Sequence, residues 1–337
     1  MIYCHTGRVR MSSHNMAVEP TTEPLKVFIW STGRSLSNAF LKCMTYVPDT
    51  IAWHEPYSKI GKFSDVVASS AIVPDAESRP VRNLVKNLGG ASAVAKIESG
   101  YDASDKDYDW LKEQLESDLP DGKTMLFVKD NGAIIGRLAL HDKIPKGFRH
   151  TFLIRNPKIS IMSRAKMYLK TLQTKSVNLD GQNTPFFQKN EYLNALWKYV
   201  KSEGLESRPV IIDVDDLLEN PKEILEAYCK EIGIPFTEDL LTWPAGDEVM
   251  TKLWMVPKQS ILIFRILGFG DKAFAHTEFK KLPVPAFDGS SKDDEFMNMI
   301  KQFPSTLPIS MEDVKEVIDS EMPYYEEMFS KRLTVNK

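Results

Sequence analysis

Lys26-Val27-Phe28-Ile29-Trp30-Ser31-Thr32-Gly33-Arg34-Ser35-Leu36-Ser37-Asn38 is the stretch on which the fold turns. A short apolar run feeds a loop carrying one glycine, one arginine and a cluster of hydroxyls. The loop then opens an apolar-periodic segment at Ala39, Phe40, Cys43, Met44 and Val47. This pattern reads as strand, phosphate loop, helix. The first N–H groups of a helix lack internal partners and carry the positive end of its dipole, so a phosphate beside Ser37 or Asn38 meets ready donors. Gly33 is expected to let the backbone turn closely, Arg34 adds a permanent charge with fork geometry, and Ser31, Thr32, Ser35 and Ser37 offer hydroxyls. No G-x-x-x-x-G-K-[ST] occurs in the chain, which points to a nucleotide phosphate other than ordinary ATP. On these residues alone a serine-rich cap on a helix after a buried strand is an equal alternative to an anion site.

With 337 residues and 42% hydrophobic content the chain can bury a substantial core, read here as one domain over residues 25–337. Lys plus Arg number 43 against 46 Asp plus Glu, and a net charge of −3 gives no support for general nucleic-acid or membrane binding, so any anion site must be focal. Cys4, Cys43 and Cys229 are widely spaced, with neither a disulfide framework nor a zinc pattern, and reduced cytoplasmic thiols are the simplest reading. Met1 to Pro24 is polar, lacks a continuous apolar core and reads as a disordered leader rather than a secretory signal. The most apolar stretch, Ile261-Leu262-Ile263-Phe264, is interrupted by Arg265 and falls far short of a membrane span.

Further strands are expected at Thr50–Trp53, Thr124–Val128, His150–Ile154 and Pro209–Ile212. The second ends at His54-Glu55-Pro56-Tyr57, where open α/β sheets place their chemistry, although a hydrogen-bonded turn explains the same residues. The third ends at Lys129-Asp130-Asn131-Gly132, either a site or a solvated charge pair. The fourth feeds Arg155-Asn156-Pro157, an N-cap followed by a favoured first helical residue, and Arg164, Lys166, Lys170 and Lys175 make the following helix basic in the manner of a solvated face. Helices are expected over Glu77–Leu88, stopped by Gly89-Gly90, over Asp105–Leu119, over Phe187–Val200 and from Pro221 through Ile232. Asp213, Asp215 and Asp216 suit a helix cap better than a metal. From Gly233 onward the chain is rich in Trp, Pro and Phe and is expected to form an α-rich C-terminal cap, its last helix near Met311 to Leu333.

Trp30-Ser31-Thr32-Gly33-Arg34-Ser35-Leu36-Ser37-Asn38-Ala39 resembles the motif W-x-x-P-R-S-x-S-T-A of a soluble branch of the sulfotransferases that use 3′-phosphoadenosine 5′-phosphosulfate (PAPS). Gly33 replaces the proline and Asn38 the second hydroxyl. His54-Glu55-Pro56-Tyr57 looks like the branch's H-E-P-[FY] segment and Lys129-Asp130 like its K-D pair. Arg155 and Ser163 have the eight-residue separation of the pair that binds the 3′-phosphate in the family. Ser163 lies about two helical turns, on the order of 10 Å, beyond the strand end, so their meeting is implied by the resemblance and not by spacing.

The resemblance, over roughly residues 25–270, implies a P-loop-containing sulfotransferase-like α/β fold with a central parallel sheet flanked by helices. It implies sulfuryl transfer from PAPS to a hydroxyl, or alternatively an amine, of a small acceptor such as an alcohol, phenol or sterol-like compound. No metal, nucleic acid or membrane is called for, and homo-oligomerisation is left open. Gly33, Arg34, Ser35, Leu36, Ser37 and Asn38 would hold the 5′-phosphate side, Arg155 and Ser163 the 3′-phosphate, leaving 3′,5′-bisphosphoadenosine as product. Glu55 is the first choice of general base, with Trp53 and Tyr57 expected to desolvate it and raise its pKa; His54 is the second choice, and Lys129 would stabilise the transferring group. Relatives with a histidine base on the third strand carry it near Asn131, which this sequence cannot reproduce. The competing classes are a P-loop kinase or NTPase and a non-catalytic nucleotide-binding protein that keeps the fold.

Overall fold

The computed structural model describes residues 23–69, 75–164, 190–246, 248–267, 276–280, 298 and 311–335. Its frame is a six-stranded sheet of β1 (Leu25–Ser31), β2 (Thr50–His54), β3 (Met125–Asn131), β4 (Arg149–Ile154), β5 (Ile211–Asp213) and β6 (Trp254–Met255), in the order β5-β4-β1-β3-β2-β6. Every pairing is parallel. Apolar runs such as Val27–Trp30 and Met125–Val128 are what such strands need, because a parallel sheet is covered on both faces. Alternation divides β1 and its neighbours between two cores: Phe28, Trp30, Leu126, Val128, Phe152 and Ile154 face one, and Val27, Ile29, Met125, Phe127 and Leu153 face the other.

The helices are α1 (Ser37–Thr45), α2 (Pro56–Phe63), α3 (Asp65–Ala68), α4 (Asp75–Asn87), α5 (Gly90–Ala95), α6 (Tyr108–Glu116) and α7 (Ala133–Arg137). They continue with α8 (157–164), α9 (Asn190–Ser202), α10 (Val214–Glu219), α11 (Pro221–Ile232), α12 (Lys258–Leu267) and α13 (Met311–Phe329). Phe40, Leu41, Leu217 and Leu225 bring α1, α10 and α11 onto one face. Tyr57, Leu111, Ile135, Leu193 and Met328 bring α2, α6, α7, α9 and α13 onto the other.

The chain leaves β1 by α1 on one face and enters β4, on the opposite side of β1, after α7 on the other face. The strand order therefore reverses at β1, and the crevice outside the carboxyl ends of β1 and β4 is the topological switch point where such sheets bind ligands. Register keeps these ends level: Ser31 lies opposite Asn131 and Leu153, and His54 opposite Lys129.

The α/β architecture, five strands and the main helices match the sequence reading; the differences are local. β3 does not stop at Val128 but continues through Lys129, Asp130 and Asn131. Strand β6 was not anticipated, and its two residues pair beside β2. The helix expected over Asp105–Leu119 contracts to Tyr108–Glu116 because the Asp107 side chain caps it, accepting from Trp110 N–H at 2.8 Å. Gly89, at φ +108°, ends α4 as expected. Residues 1–22, nearly all of the expected leader, lie outside the described residues, as do residues 165–189, which include Lys166, Lys170, Lys175 and the first part of the helix expected from Phe187. So does most of 268–310; of the C-terminal cap, α13 is seen packing on α9, β4 and β5.

Candidate active site

The loop after β1 is built from backbone rather than from glycine. Its left-handed residues are Arg34 (φ 67°) and Leu36 (φ 55°), not Gly33, which corrects the expected role of that glycine. Left-handed residues interleaved in a tight turn are the conformations from which anion-binding nests of N–H groups are made. The Ser35 hydroxyl donates to Thr32 C=O at 2.6 Å and ties the turn together. The alternative of a serine-capped helix fails on geometry. Leu36 is the residue at the N-cap of α1, no side chain caps it, and the first turn carries no acidic group.

Arg34 is the hub of the anion loop. Its Nε donates to Ser163 Oγ at 3.1 Å, and its own carbonyl accepts from the Arg155 guanidinium at 2.8 Å. Arg155 and Ser163 are thus brought into one locus through Arg34, which is hydrogen-bonded to both. The Asn156 side chain caps α8, accepting from Lys158 N–H at 3.0 Å, and so fixes the direction in which Ser163 is carried. Burial lowers the Arg34 guanidinium from its ordinary pKa; burial also lowers Arg155, opposed by Asp215 and reinforced by Arg34. Thr32 Oγ1 and Arg155 Nε are buried around the loop with no hydrogen-bond partner.

The second cluster joins the ends of β2 and β3 to α1. Asn38 Oδ1 accepts from Lys129 Nζ at 3.1 Å and lies 3.1 Å from His54 Nε2. Since an amide oxygen only accepts, His54 carries its proton on Nε2, and its basic Nδ1 is left buried without a partner. The His54 ring stacks on Trp254 of β6, centroids 5.0 Å apart and planes within 11°. Burial, outweighing Glu55, lowers the His54 pKa to about 3, so the imidazole is neutral.

Glu55 takes a left-handed conformation (φ 52°) whose N–H continues the sheet by donating to Lys129 C=O at 2.6 Å. Its carboxylate pairs directly with Lys129 and lies 3.3 Å from Lys59 Nζ. Burial acts to raise this carboxyl, but Lys129, His54 and Lys59 together hold it well below the usual range. The expected upward shift is therefore overturned by the lysines. Trp53 and Tyr57 are both in the apolar core.

Lys129 and Asp130 do not pair, because adjacent strand residues face opposite sides of the sheet. Asp130 is fully buried and caps α2 from across the sheet, accepting from Tyr57 N–H at 2.6 Å and from the Ser58 hydroxyl at 2.6 Å. Burial, reinforced by Glu55, raises its pKa to about 6. Sequence reasoning missed this role, and the tying function of Asn38, because both contacts join residues far apart in the chain. Asp213 caps α10 as expected, accepting from the N–H groups of Asp215 at 2.9 Å and Asp216 at 3.2 Å.

Residues 202–272 match the family model described as "Sulfotransferase domain". The match falls in a different part of the chain from the motifs at 30–39, 54–57, 129–130 and 155–163, and it supports the same family. Among solved structures, the sulfotransferase domain from the Synechococcus PCC 7002 olefin synthase is similar at 15% identity, covering 88% of this chain and 94% of its own, with a TM-score of 0.39. The sulfotransferase domain from the curacin biosynthetic pathway is similar at 16% identity, covering 85% and 99%, with a TM-score of 0.34. No curated protein matches the chain.

Proposed function

We propose that this protein is a cytoplasmic PAPS-dependent sulfotransferase acting on a hydroxyl of a small molecule, of the alcohol, phenol or sterol-like kind. One observation carries the proposal: Arg34 joins the β1 loop, Arg155 and Ser163 into a single cationic cradle at the mouth of an uncapped helix. A ligand with two separate phosphates fits such a cradle, and the buried, unpartnered Thr32 hydroxyl and Arg155 Nε are groups that phosphate oxygens would satisfy. No helix among the described residues is long and apolar enough to cross a membrane, and Cys43 and Cys229 are free, buried thiols compatible with a reducing compartment.

The donor, when bound, supplies an activated sulfuryl group and a bisphosphate leaving group. Backbone N–H groups of residues 34–38 serve its 5′ side, and Arg155 with Ser163 its 3′-phosphate. Lys129, steadied by Asn38, places positive charge where charge develops in the transfer. Glu55 receives the acceptor proton. It is a weak base while Lys129 lies against it and a stronger one whenever another anion draws that lysine away, since burial by itself pushes the carboxyl upward. His54 cannot share the role, its basic nitrogen being turned into the protein; it positions Asn38 and, through Asn38, Lys129.

Thermal-shift titration without Mg²⁺ is the first test, with 3′,5′-bisphosphoadenosine expected to stabilise the fold more than Mg-ATP. A preference for Mg-ATP refutes the donor assignment in favour of a kinase. Turnover of PAPS against a panel of hydroxyl and amine acceptors is the second test. Tight bisphosphate binding with no turnover of any class leaves a nucleotide-binding protein instead.

A further inference from the structure

We infer that the acceptor is an acidic alcohol or phenol, its hydroxyl at Glu55 and an anionic group, of which a carboxylate is the simplest, held by Lys62 in the groove between α2 and α7. This rests on the transfer reaction proposed above and names the class of acceptor more closely.

The groove follows from the sheet. α2 starts at the carboxyl end of β2 and α7 at that of β3, and those strands are adjacent with His54 opposite Lys129, so the space between the two helices opens beside Glu55. Glu55, Lys59 and Lys62 succeed one another at spacings of four and three and therefore stack along one face of α2. Lys59 Nζ lies 3.3 Å from the Glu55 carboxylate. Lys62, one turn further on, makes no hydrogen bond or ion pair among the described residues, and its side chain is exposed. Arg137, the last residue of α7, is exposed as well, and α7 packs on α2. Burial, with Lys59 and Arg137 acting in the same direction and Glu55 and Asp130 against them, lowers the Lys62 pKa to about 8. A side chain that is open to water and yet surrounded closely enough to lose part of its hydration stands in the wall of a crevice.

A lysine on an ordinary solvated face keeps its hydration and turns away from like charges. Lys62 is instead set between Lys59 and Arg137, and both carboxylates in range have other partners. Glu55 pairs with Lys129 and Lys59, and Asp130 accepts from the Tyr57 and Asn131 N–H groups and the Ser58 hydroxyl. The Tyr108 hydroxyl is buried without a partner within range of the same Arg137 and Asp130 charges, a further donor on this side of the sheet. An anion entering the groove answers Lys62 without breaking an existing pair, which a neutral sterol-like acceptor would not do. Seven residues of helix separate Glu55 from Lys62, about 10 Å along the axis, so the anion and the reacting hydroxyl belong at opposite ends of an aliphatic chain or an aromatic ring and not on neighbouring carbons.

The probes are para-hydroxyphenylpropanoate and ω-hydroxyoctanoate, each against its neutral amide. They are compared by turnover with PAPS and by calorimetric binding with and without 3′,5′-bisphosphoadenosine, in the parent protein, Lys62→Gln and Lys62→Arg. A charge-assisted contact predicts that kcat/KM for the acid exceeds that for the amide by about 10- to 100-fold, the difference residing in KM. Lys62→Gln should bring that ratio close to one and Lys62→Arg should keep it. In the parent the ratio should fall from about pH 7 to about pH 9 as Lys62 loses its proton, while in Lys62→Arg it persists. Equal use of acid and amide, a ratio that survives Lys62→Gln, or failure of both acids to bind overturns the inference. An acid bound better than its amide but never turned over upholds the anion subsite and sinks the transfer reaction; the same preference in a protein that binds no bisphosphate sinks the donor assignment alone. A lower unfolding temperature in Lys62→Gln with the ratio intact assigns Lys62 to structure and also overturns the inference.

Discussion

Replacing Lys129 by methionine should make the stability of this protein depend on pH in a way that identifies Glu55 as the cause. Lys129 pairs directly with the Glu55 carboxylate, their side chains being 4% and 23% exposed, and Lys59 adds a second positive charge at 3.3 Å. An opposite charge at this range depresses a carboxyl by about 1–3 pKa units, equivalent to about 1.4–4 kcal/mol, and the surviving Lys59 contact favours the lower part of that range. Glu55 has a folded pKa depressed below its ordinary 4.5, so its contribution is stabilising at neutral pH and is lost only as pH falls through the folded value. In Lys129→Met the folded value rises, because burial is then opposed by less positive charge. The destabilisation caused by the substitution should be largest near pH 7 and shrink as pH falls toward 4. Urea unfolding of parent and variant across that range measures it. The same substitution made in a Glu55→Gln background should show no such slope. A penalty that stays flat with pH, or a slope that survives in the Glu55→Gln background, refutes the coupling between Lys129 and Glu55.

Glu55→Gln should keep bisphosphate binding while turnover falls by about 10²- to 10⁴-fold, the scale of general-base catalysis, whereas His54→Ala should lose less and show its loss as weakened alignment at every pH rather than as a changed pH profile; steady-state rates against pH separate the two. Asp130, raised to about 6, binds its proton more tightly folded than unfolded, so its contribution is full below its ordinary value of 3.8 and is lost as pH rises through about 6. Asp130→Asn should remove about 2–3 kcal/mol of that slope, leaving the part due to Asp213, also near 6; unfolding free energies at pH 4 and pH 7 check it. Gly100 has φ +78°, and a Cβ there would collide with the Val256 carbonyl oxygen, so Gly100→Ala should destabilise by about 2–5 kcal/mol; a thermal midpoint within a degree of the parent would contradict this.

Much of the sheet was legible because five strands announce themselves as apolar runs ending in chemistry-bearing residues. β6 was not, since two residues give no periodicity, and only the side chain of Trp254 hinted at a buried position. Lys129-Asp130 stood open between a site and a solvated charge pair; the two-residue alternation of β3 removes the mutual pair, sending Lys129 to Glu55 and Asp130 to α2. Gly33 attracted the role of turn former on residue type, yet the chain places its left-handed conformations on Arg34 and Leu36, where surrounding contacts overrule intrinsic preference. The gathering of Arg155 and Ser163 was implied by resemblance alone, and the bridging by Arg34 is tertiary information that no local pattern holds. The pKa of Glu55 went the other way from expectation because its environment is set by Lys129 and Lys59 and not by the aromatic residues flanking it in sequence.

The stacking of His54 on Trp254 has a consequence for the order in which the protein comes into being. β1 finds one of its partners only when β4 has been made, and β2 gains its outer neighbour only when Trp254 and Met255 have followed, far later in the chain. An emerging chain holds Glu55, His54 and Lys129 long before the indole that covers His54 exists. Such long-range pairing slows folding and leaves a sheet edge exposed in the meantime. The half-made protein should thus pass through a stage in which β2 is open to pairing with a neighbouring nascent chain, and the ribosome's pace through residues 130–255 becomes part of how the site is assembled.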